Sequence, residues 1–129
     1  MPILLVGASG TGKELFAQAI HRESEHAIGP FVPLNVNTIP KDLVTSELFG
    51  YEEGTFSGAR RGGKRGKIEL AHQGTLFLDE LQDMPVDTQQ SFLRFLEEGT
   101  IVPLGGERPR QVLLFSLLSS GVPGSSLNL

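Results

Sequence analysis

Short apolar runs alternate along this chain with longer stretches of helical spacing. Ile3-Leu4-Leu5-Val6 is unbroken apolar sequence, as in a strand buried on both faces. From Lys13 to about Glu23, Leu15, Phe16, Ala19 and Ile20 recur at helical spacing. Gly29-Pro30 interrupts the pattern, and Phe31 to Val36 predicts a second strand. Pro40 opens a helix predicted through Leu48, with Leu43, Val44 and Leu48 facing inward. Gly50 to Gly66 is rich in glycine and charge, lacks periodicity and predicts a loop. Lys67 to Ala71 suits one helical turn, and Gly74 to Leu78 is a third buried strand ending at Asp79-Glu80. Pro85 starts a helix to about Glu98, with Val86, Phe92, Leu93 and Leu96 as its inner stripe and Gly99 as its stop. A short strand at Thr100 to Val102 and a longer one at Val112 to Leu118 follow; from Gly121 onward the glycines, Pro123 and serines read as a disordered tail. This alternation predicts an α/β fold, a parallel sheet with helices on both faces and ligands at the strands' carboxyl ends.

Composition narrows the chemistry. A chain of 129 residues has room for one domain with a real core. It has no cysteine, so disulfides and thiolate metal sites are excluded, which suits a reducing cytoplasm. No apolar run approaches the roughly 20 residues needed to span a bilayer, and the N-terminus lacks signal-peptide features. The net charge of −4 argues against a surface that binds nucleic acid throughout. Charge is uneven, however: Arg60, Arg61, Lys64, Arg65 and Lys67 crowd together among glycines. That stretch reads as a solvated basic loop, with a nucleic-acid phosphate contact as the alternative.

Gly7-Ala8-Ser9-Gly10-Thr11-Gly12-Lys13 lies between the first strand and the first helix, the setting of a phosphate-binding P-loop. Glycines let successive backbone N–H groups turn toward phosphate oxygens, and the helix N-terminus adds partial positive charge. Lys13 then reaches the β- and γ-phosphates of ATP. Glu14 stands where a P-loop ordinarily has Ser or Thr. The second constellation is Leu76-Phe77-Leu78-Asp79-Glu80. Its first carboxylate suits Mg²⁺, and its second suits the water that attacks the γ-phosphate. His21, His26 and His72 have no metal spacing and read as surface histidines, and no Gly-x-Ser-x-Gly elbow supports acyl transfer.

Four motifs in order resemble one family. They are Gly7 to Glu14, Ser46-Glu47-Leu48-Phe49-Gly50, Gly54-Thr55-Phe56-Ser57-Gly58-Ala59 and Gly74 to Glu80. From Pro2 to Val112 the chain resembles the AAA+ domain of bacterial enhancer-binding activators that act on sigma-54 RNA polymerase. The resemblance implies a P-loop NTPase fold with three α/β/α layers, with residues 1–112 as a partial ATPase domain and 113–129 as a divergent, poorly ordered tail. It implies ATP and Mg²⁺ as cofactors, a hexameric ring of like subunits, and a cytoplasmic protein. It accounts for Glu14, which the family also carries. Gly54 to Ala59 matches the family's Gly-Ala-Phe-Thr-Gly-Ala loop, a mobile insertion that touches the sigma factor. Thr55 replaces Ala and Ser57 replaces Thr, while the aromatic Phe56 is kept, so Phe56 is expected near the tip of a mobile surface loop. Asn35 matches the asparagine that restrains the catalytic glutamate; it holds Glu80 through a side-chain amide bond or simply closes a strand. Gly105-Gly106 matches the end of a second loop, and Ala8 replaces a usual glutamate.

The resemblance also implies an incomplete copy. The polar sensor asparagine expected after Val112 is absent, as are the arginine fingers, the helical lid and a DNA-binding helix-turn-helix. Slow ATP turnover by this chain alone is the expectation, with nucleotide binding without turnover as the alternative. DNA contact would then need a further domain.

Overall fold

The computed structural model describes residues 3–6, 13–24 and 27–120. Strand β1 (Ile3–Val6) is followed by helix α1 (Lys13–Glu23), β2 (Phe31–Asn35) and α2 (Val44–Phe49). Next come the short strands β3 (Gly50–Tyr51) and β4 (Lys64–Arg65), helix α3 (Lys67–Leu70) and strand β5 (Thr75–Asp79). Helix α4 (Val86–Glu98), the short strands β6 (Thr100–Ile101) and β7 (Arg110–Gln111), and β8 (Ser116–Ser120) complete the order.

Four of these strands form one parallel sheet in the order β1-β8-β5-β2. Thr75, Leu76, Phe77 and Leu78 of β5 are all buried, which is why that strand reads as an unbroken apolar run. Successive side chains point to opposite faces. Leu76 and Leu78 enter a large cluster with Val44 and Leu48 of α2, Ile68 of α3, and Phe92 and Phe95 of α4. Phe77 points the other way, onto Ala17 of α1 and Leu118 of β8. Helices therefore cover both faces, as the alternation predicts.

The inner stripes differ from their predicted positions. On α1 Ala17 is buried, whereas Leu15 is 67% exposed. Two residues at about 100° each place Leu15 some 200° around the helix from Ala17. On α4 Phe95 joins Phe92 in the core, and Val86 is exposed on the side opposite Phe95. Gly99, at φ 74°, ends α4 in a left-handed cap and donates its N–H to the Phe95 carbonyl. The helix predicted from Pro40 begins as a 3₁₀ turn at Lys41–Leu43 and becomes α-helical only at Val44, so Leu43 stays exposed.

His21 is a correction to the surface reading: it is buried. Its Nε2 lies 3.0 Å from the Gly29 carbonyl, which can only accept, so Nε2 donates. In the neutral ring Nδ1 then accepts from the Thr75 hydroxyl at 2.7 Å. The imidazole thus ties the end of α1 to the entry of β2 and the start of β5. His72 is exposed, as predicted, and its Nδ1 accepts from the Leu113 N–H at 3.0 Å. His26 lies outside the described residues.

The largest difference concerns the C-terminal strand. It runs over Ser116–Ser120 rather than Val112–Leu118, so it falls within the stretch expected to be a poorly ordered tail. It is an inner strand of the sheet. Leu117 pairs with Ile3 of β1 on one side and with Leu76 of β5 on the other. The polar look of Phe115-Ser116-Leu117-Leu118-Ser119-Ser120 conceals this, because Leu117, Leu118 and Ser119 are all buried. Residues 121–129 lie outside the described residues.

Leu117→Ala is therefore expected to cost about 2–5 kcal/mol of stability, as buried leucine truncations do. Leu113→Ala, at a residue 54% exposed, should stay within about 0.5 kcal/mol. Urea unfolding midpoints of the two variants check this; equal midpoints would remove β8 from the core.

Candidate functional site

The parallel ladders bring the carboxyl ends of β1, β8, β5 and β2 to one edge of the sheet. β1 ends at Val6 and α1 begins at Lys13, so Gly7, Ala8, Ser9, Gly10, Thr11 and Gly12 connect a strand's carboxyl end to a helix N-terminus. Those six residues, and the side chains of Lys13 and Glu14, lie outside what is described. At the same edge β5 ends in Asp79, followed by Glu80.

Asp79 and Asn35 occupy matching ladder positions at the ends of β5 and β2. The Asn35 amide Nδ2 donates to Asp79 Oδ2 at 3.5 Å, and its Oδ1 caps the Asn37 N–H at 3.0 Å. The bond anticipated from Asn35 to Glu80 thus runs to Asp79 instead. The cause is geometric: the register sets Asn35 beside Asp79, and the chain turns sharply at the next residue. Glu80 takes left-handed angles, φ 61° and ψ 48°, rare for a residue with a side chain. A 3₁₀ turn over Leu81–Asp83 follows, and Gln82 Nε2 donates to Glu80 Oε2 at 2.7 Å. Gln82 escaped the sequence reading, although its spacing two residues after an acid at a strand end was visible.

A second region sits on the loop between α2 and α3. β3 and β4 pair antiparallel and close its base, with Gly50 opposite Arg65. Gly66 is required there, since a Cβ would lie 2.2 Å from the Leu48 carbonyl oxygen. The segment between β6 and β7 binds to the same base. Leu104 N–H donates to the Gly50 carbonyl and Glu52 N–H donates to the Leu104 carbonyl, both at 2.9 Å. The Thr55 hydroxyl is 2.6 Å from the Glu52 carbonyl and 3.1 Å from that of Leu104, contacts an alanine would lack. Gly105 packs so closely here that a Cβ would meet Thr55 Oγ1 at 2.3 Å.

Within the loop, Gly54 and Gly58 take φ 78° and 87° in open space, and Ser57 is exposed between Phe56 and Gly58. Phe56 is 41% exposed, and its ring meets Tyr51 edge-on at a centroid distance of 4.9 Å. Ala59 N–H closes a turn onto the Phe56 carbonyl at 3.0 Å. Arg110 of β7 bridges Glu52 at 2.9 Å and Glu69 of α3 at 3.0 Å. Neither Tyr51 nor Arg110 was singled out in the sequence: Arg110 lies far along the chain from Glu52 and Glu69, and Tyr51 meets Phe56 only through the fold of the intervening loop. In the basic run, Lys64 pairs with Glu47 at 3.4 Å and Arg65 with Glu69 at 3.9 Å. Arg60 and Arg61 are exposed.

Phe56→Ala should cost no more than about 0.5–1.5 kcal/mol, the worth of an aromatic pair. A fully buried phenylalanine would lose about 3–5 kcal/mol. Thermal unfolding separates the two outcomes, and a loss in the larger range would make Phe56 a packing residue.

The sigma-54 interaction domain family matches residues 1–119 of this chain. The chain is 57% identical over 106 residues to a signal-transduction and transcriptional-control protein of Clostridium beijerinckii, covering 82% of this chain and 17% of that protein. It is 52% identical over 110 residues to the DNA-binding transcriptional regulator NtrC of Escherichia coli K12, covering 85% of this chain and 23% of NtrC. The chain therefore spans less than a quarter of the length of these curated relatives. The crystal structure of NtrX from Brucella abortus superposes with a TM-score of 0.83 at 41% identity, over 95% of this chain and 26% of NtrX. NtrX structures in complex with ADP and with ATP superpose at TM-scores of 0.81 and 0.80, both at 40% identity. With that fold, these motifs and this match, the chain belongs to the sigma-54 interaction domain family, the AAA+ domains of sigma-54-dependent transcriptional activators.

Proposed function

We propose that this chain is the ATP-binding and hydrolysing core of a sigma-54-dependent activator, coupling ATP + H₂O → ADP + phosphate to remodelling of the RNA polymerase closed complex. The observation that carries this reading is the shared sheet edge: the glycine-rich segment leaves β1 there, and Asp79 and Glu80 leave β5 there. The ADP and ATP complexes of NtrX support nucleotide as the ligand.

In this reading the backbone N–H groups of Gly7 to Gly12 cradle the phosphates, and Lys13 balances their charge. Glu14 stands at the following position of the same loop. Asp79, a hard oxygen donor at a strand end, fits Mg²⁺, which takes one or two protein carboxylates and completes its shell with phosphate and water. Bound there, Mg²⁺ would neutralise charge building on the phosphate oxygens. Asn35 holds Asp79 in place from β2, and Glu80 orients and polarises the attacking water. Gly54, Thr55, Phe56, Ser57, Gly58 and Ala59 form the surface offered to the sigma-54 holoenzyme, with Phe56 as its apolar anchor. Further copies of the domain in a ring would supply arginines to the γ-phosphate, and DNA would be bound by another part of the protein. Such a reaction belongs in the cytoplasm; no helix among the described residues is long and apolar enough to cross a membrane.

Lys13→Ala should weaken ATP binding by about 1.5–3 kcal/mol, the net worth of a hydrogen bond to a charged group. Titration calorimetry with Mg²⁺ present measures it. Equal affinity in both proteins would overturn the P-loop assignment, whereas binding without phosphate release would favour a nucleotide-binding module.

A further inference from the structure

We infer that the cavity between α2, α4 and β6 is a binding site for a small zwitterion with an apolar side chain, an amino acid of the size of leucine, held by Arg94 and Glu98.

The cavity has a volume of about 150 Å³. Phe49 of α2, Phe95 of α4 and Ile101 of β6 line it, and all three are buried residues. They give it an apolar wall, and a space of this size takes a benzene-sized or short branched aliphatic group. Ser91 and Thr100 add hydroxyl-bearing side chains to the lining. Thr45 lines it too, but its hydroxyl is already bonded to that of Thr88 at 2.6 Å.

The charges decide the ligand. Arg94 and Glu98 line the same cavity from exposed positions one turn apart on α4. Among the described residues neither forms an ion pair, with the other or with any third group. A basic residue four positions before an acid is the weaker order for a helical ion pair, which suits two side chains that stay apart. The Arg94 guanidinium matches a carboxylate with two parallel N–H donors, and the Glu98 carboxylate matches an ammonium. A dicarboxylate would set one of its charges against Glu98, and a diamine would set one against Arg94. The ligand that satisfies both carries one charge of each sign.

The other cavities lack this combination. The one lined by Glu52, Glu69 and Arg110 is charged, but those three residues already bridge one another. The one beside Leu113 carries Glu97 and Glu98 and no cation.

Leu104 also lines the zwitterion cavity, and its backbone bonds Gly50 and Glu52, each at 2.9 Å. A ligand that fills the cavity is therefore felt at the base of the loop that carries Phe56.

Nuclear magnetic resonance of the full chain, titrated with L-leucine, tests this. The methyl resonances of Ile101 and Leu104 should shift saturably, and the amides of Gly50 and Glu52 should follow. No saturable shift of the two methyl groups overturns the site. Shifts there that track protein concentration without leucine give the cavity to a second copy and overturn it as well. Arg94→Gln and Glu98→Gln, both at exposed positions, should each weaken leucine binding by roughly tenfold, the strength of one bond to a charged group, and leave distant amides unmoved. Isocaproate, which has leucine's carbon chain without its ammonium, separates the two charges. It should bind the parent more weakly than leucine does, and bind Glu98→Gln no more weakly than the parent. Equal affinity of the parent for leucine and isocaproate leaves Glu98 without a role and overturns the zwitterion assignment.

Discussion

The backbone ladder of β8 is the constraint on which the rest of the structure depends. β1 and β5 lead into the two segments proposed to handle nucleotide, yet they are not neighbours; β8 stands between them and pairs with both. A parallel strand has no hairpin to hold it, so its place is set by the hydrogen bonds on its two edges and by burial of its two faces. Leu117 goes to the large cluster and Leu118 to the small one, so β8 joins the two cores as well as the two strands. Remove it, and nothing on the sheet sets the distance from the end of β1 to Asp79.

The same logic governs the surface loop. Residues 52–63 have almost no core of their own, so their position is inherited from the base. That base is a two-residue ladder, three carbonyl contacts to the segment around Leu104, and the Arg110 bridge to Glu52 and Glu69. Each tie is weak alone, and ion pairs as exposed as Arg110–Glu52 contribute little individually. Together they join the loop carrying Phe56 to the β6–β7 hairpin, so displacing one segment must strain the other. Thr55 strengthens the join with a hydroxyl where the family pattern has a methyl group.

The architecture was legible in the sequence wherever the residues carried their own signal. Strands with continuous apolar runs, such as Leu76-Phe77-Leu78, announced burial on both faces. Pro85 and Gly99 marked the ends of α4 through backbone requirements that no tertiary contact overrides. The misplaced residues depend on context instead. Leu15 and Val86 are apolar but lie on the outer faces of their helices, and periodicity over a single short helix does not fix its rotation. His21 looks like a surface residue until Gly29 and Thr75 are folded around it. A strand was expected at Val112 to Leu118, but the bounds of β8 were hidden because three serines dilute its pattern, although two parallel neighbours bury it. At the candidate site, the acids and the glycine-rich segment were legible from order and spacing, whereas Arg110 acts through partners that only folding brings near, and the contacts of Tyr51 and Gln82 depend on how a short local segment turns.

Asp79 and Glu80 are consecutive in the chain, which raises the question of how two like charges at one strand end could take up different work. The structure separates them by backbone geometry. Asp79 is the last residue of the ladder, so its position follows the sheet, and its partner Asn35 belongs to the neighbouring strand. Glu80 has left the ladder; its left-handed conformation starts a new turn, and its partner Gln82 lies within that turn. A group fixed by the sheet suits a ligand whose position must not vary through the cycle. A group fixed by a three-residue turn can change orientation without disturbing a strand. The proposed division of labour, Asp79 toward Mg²⁺ and Glu80 toward water, therefore has a counterpart in which backbone each acid belongs to.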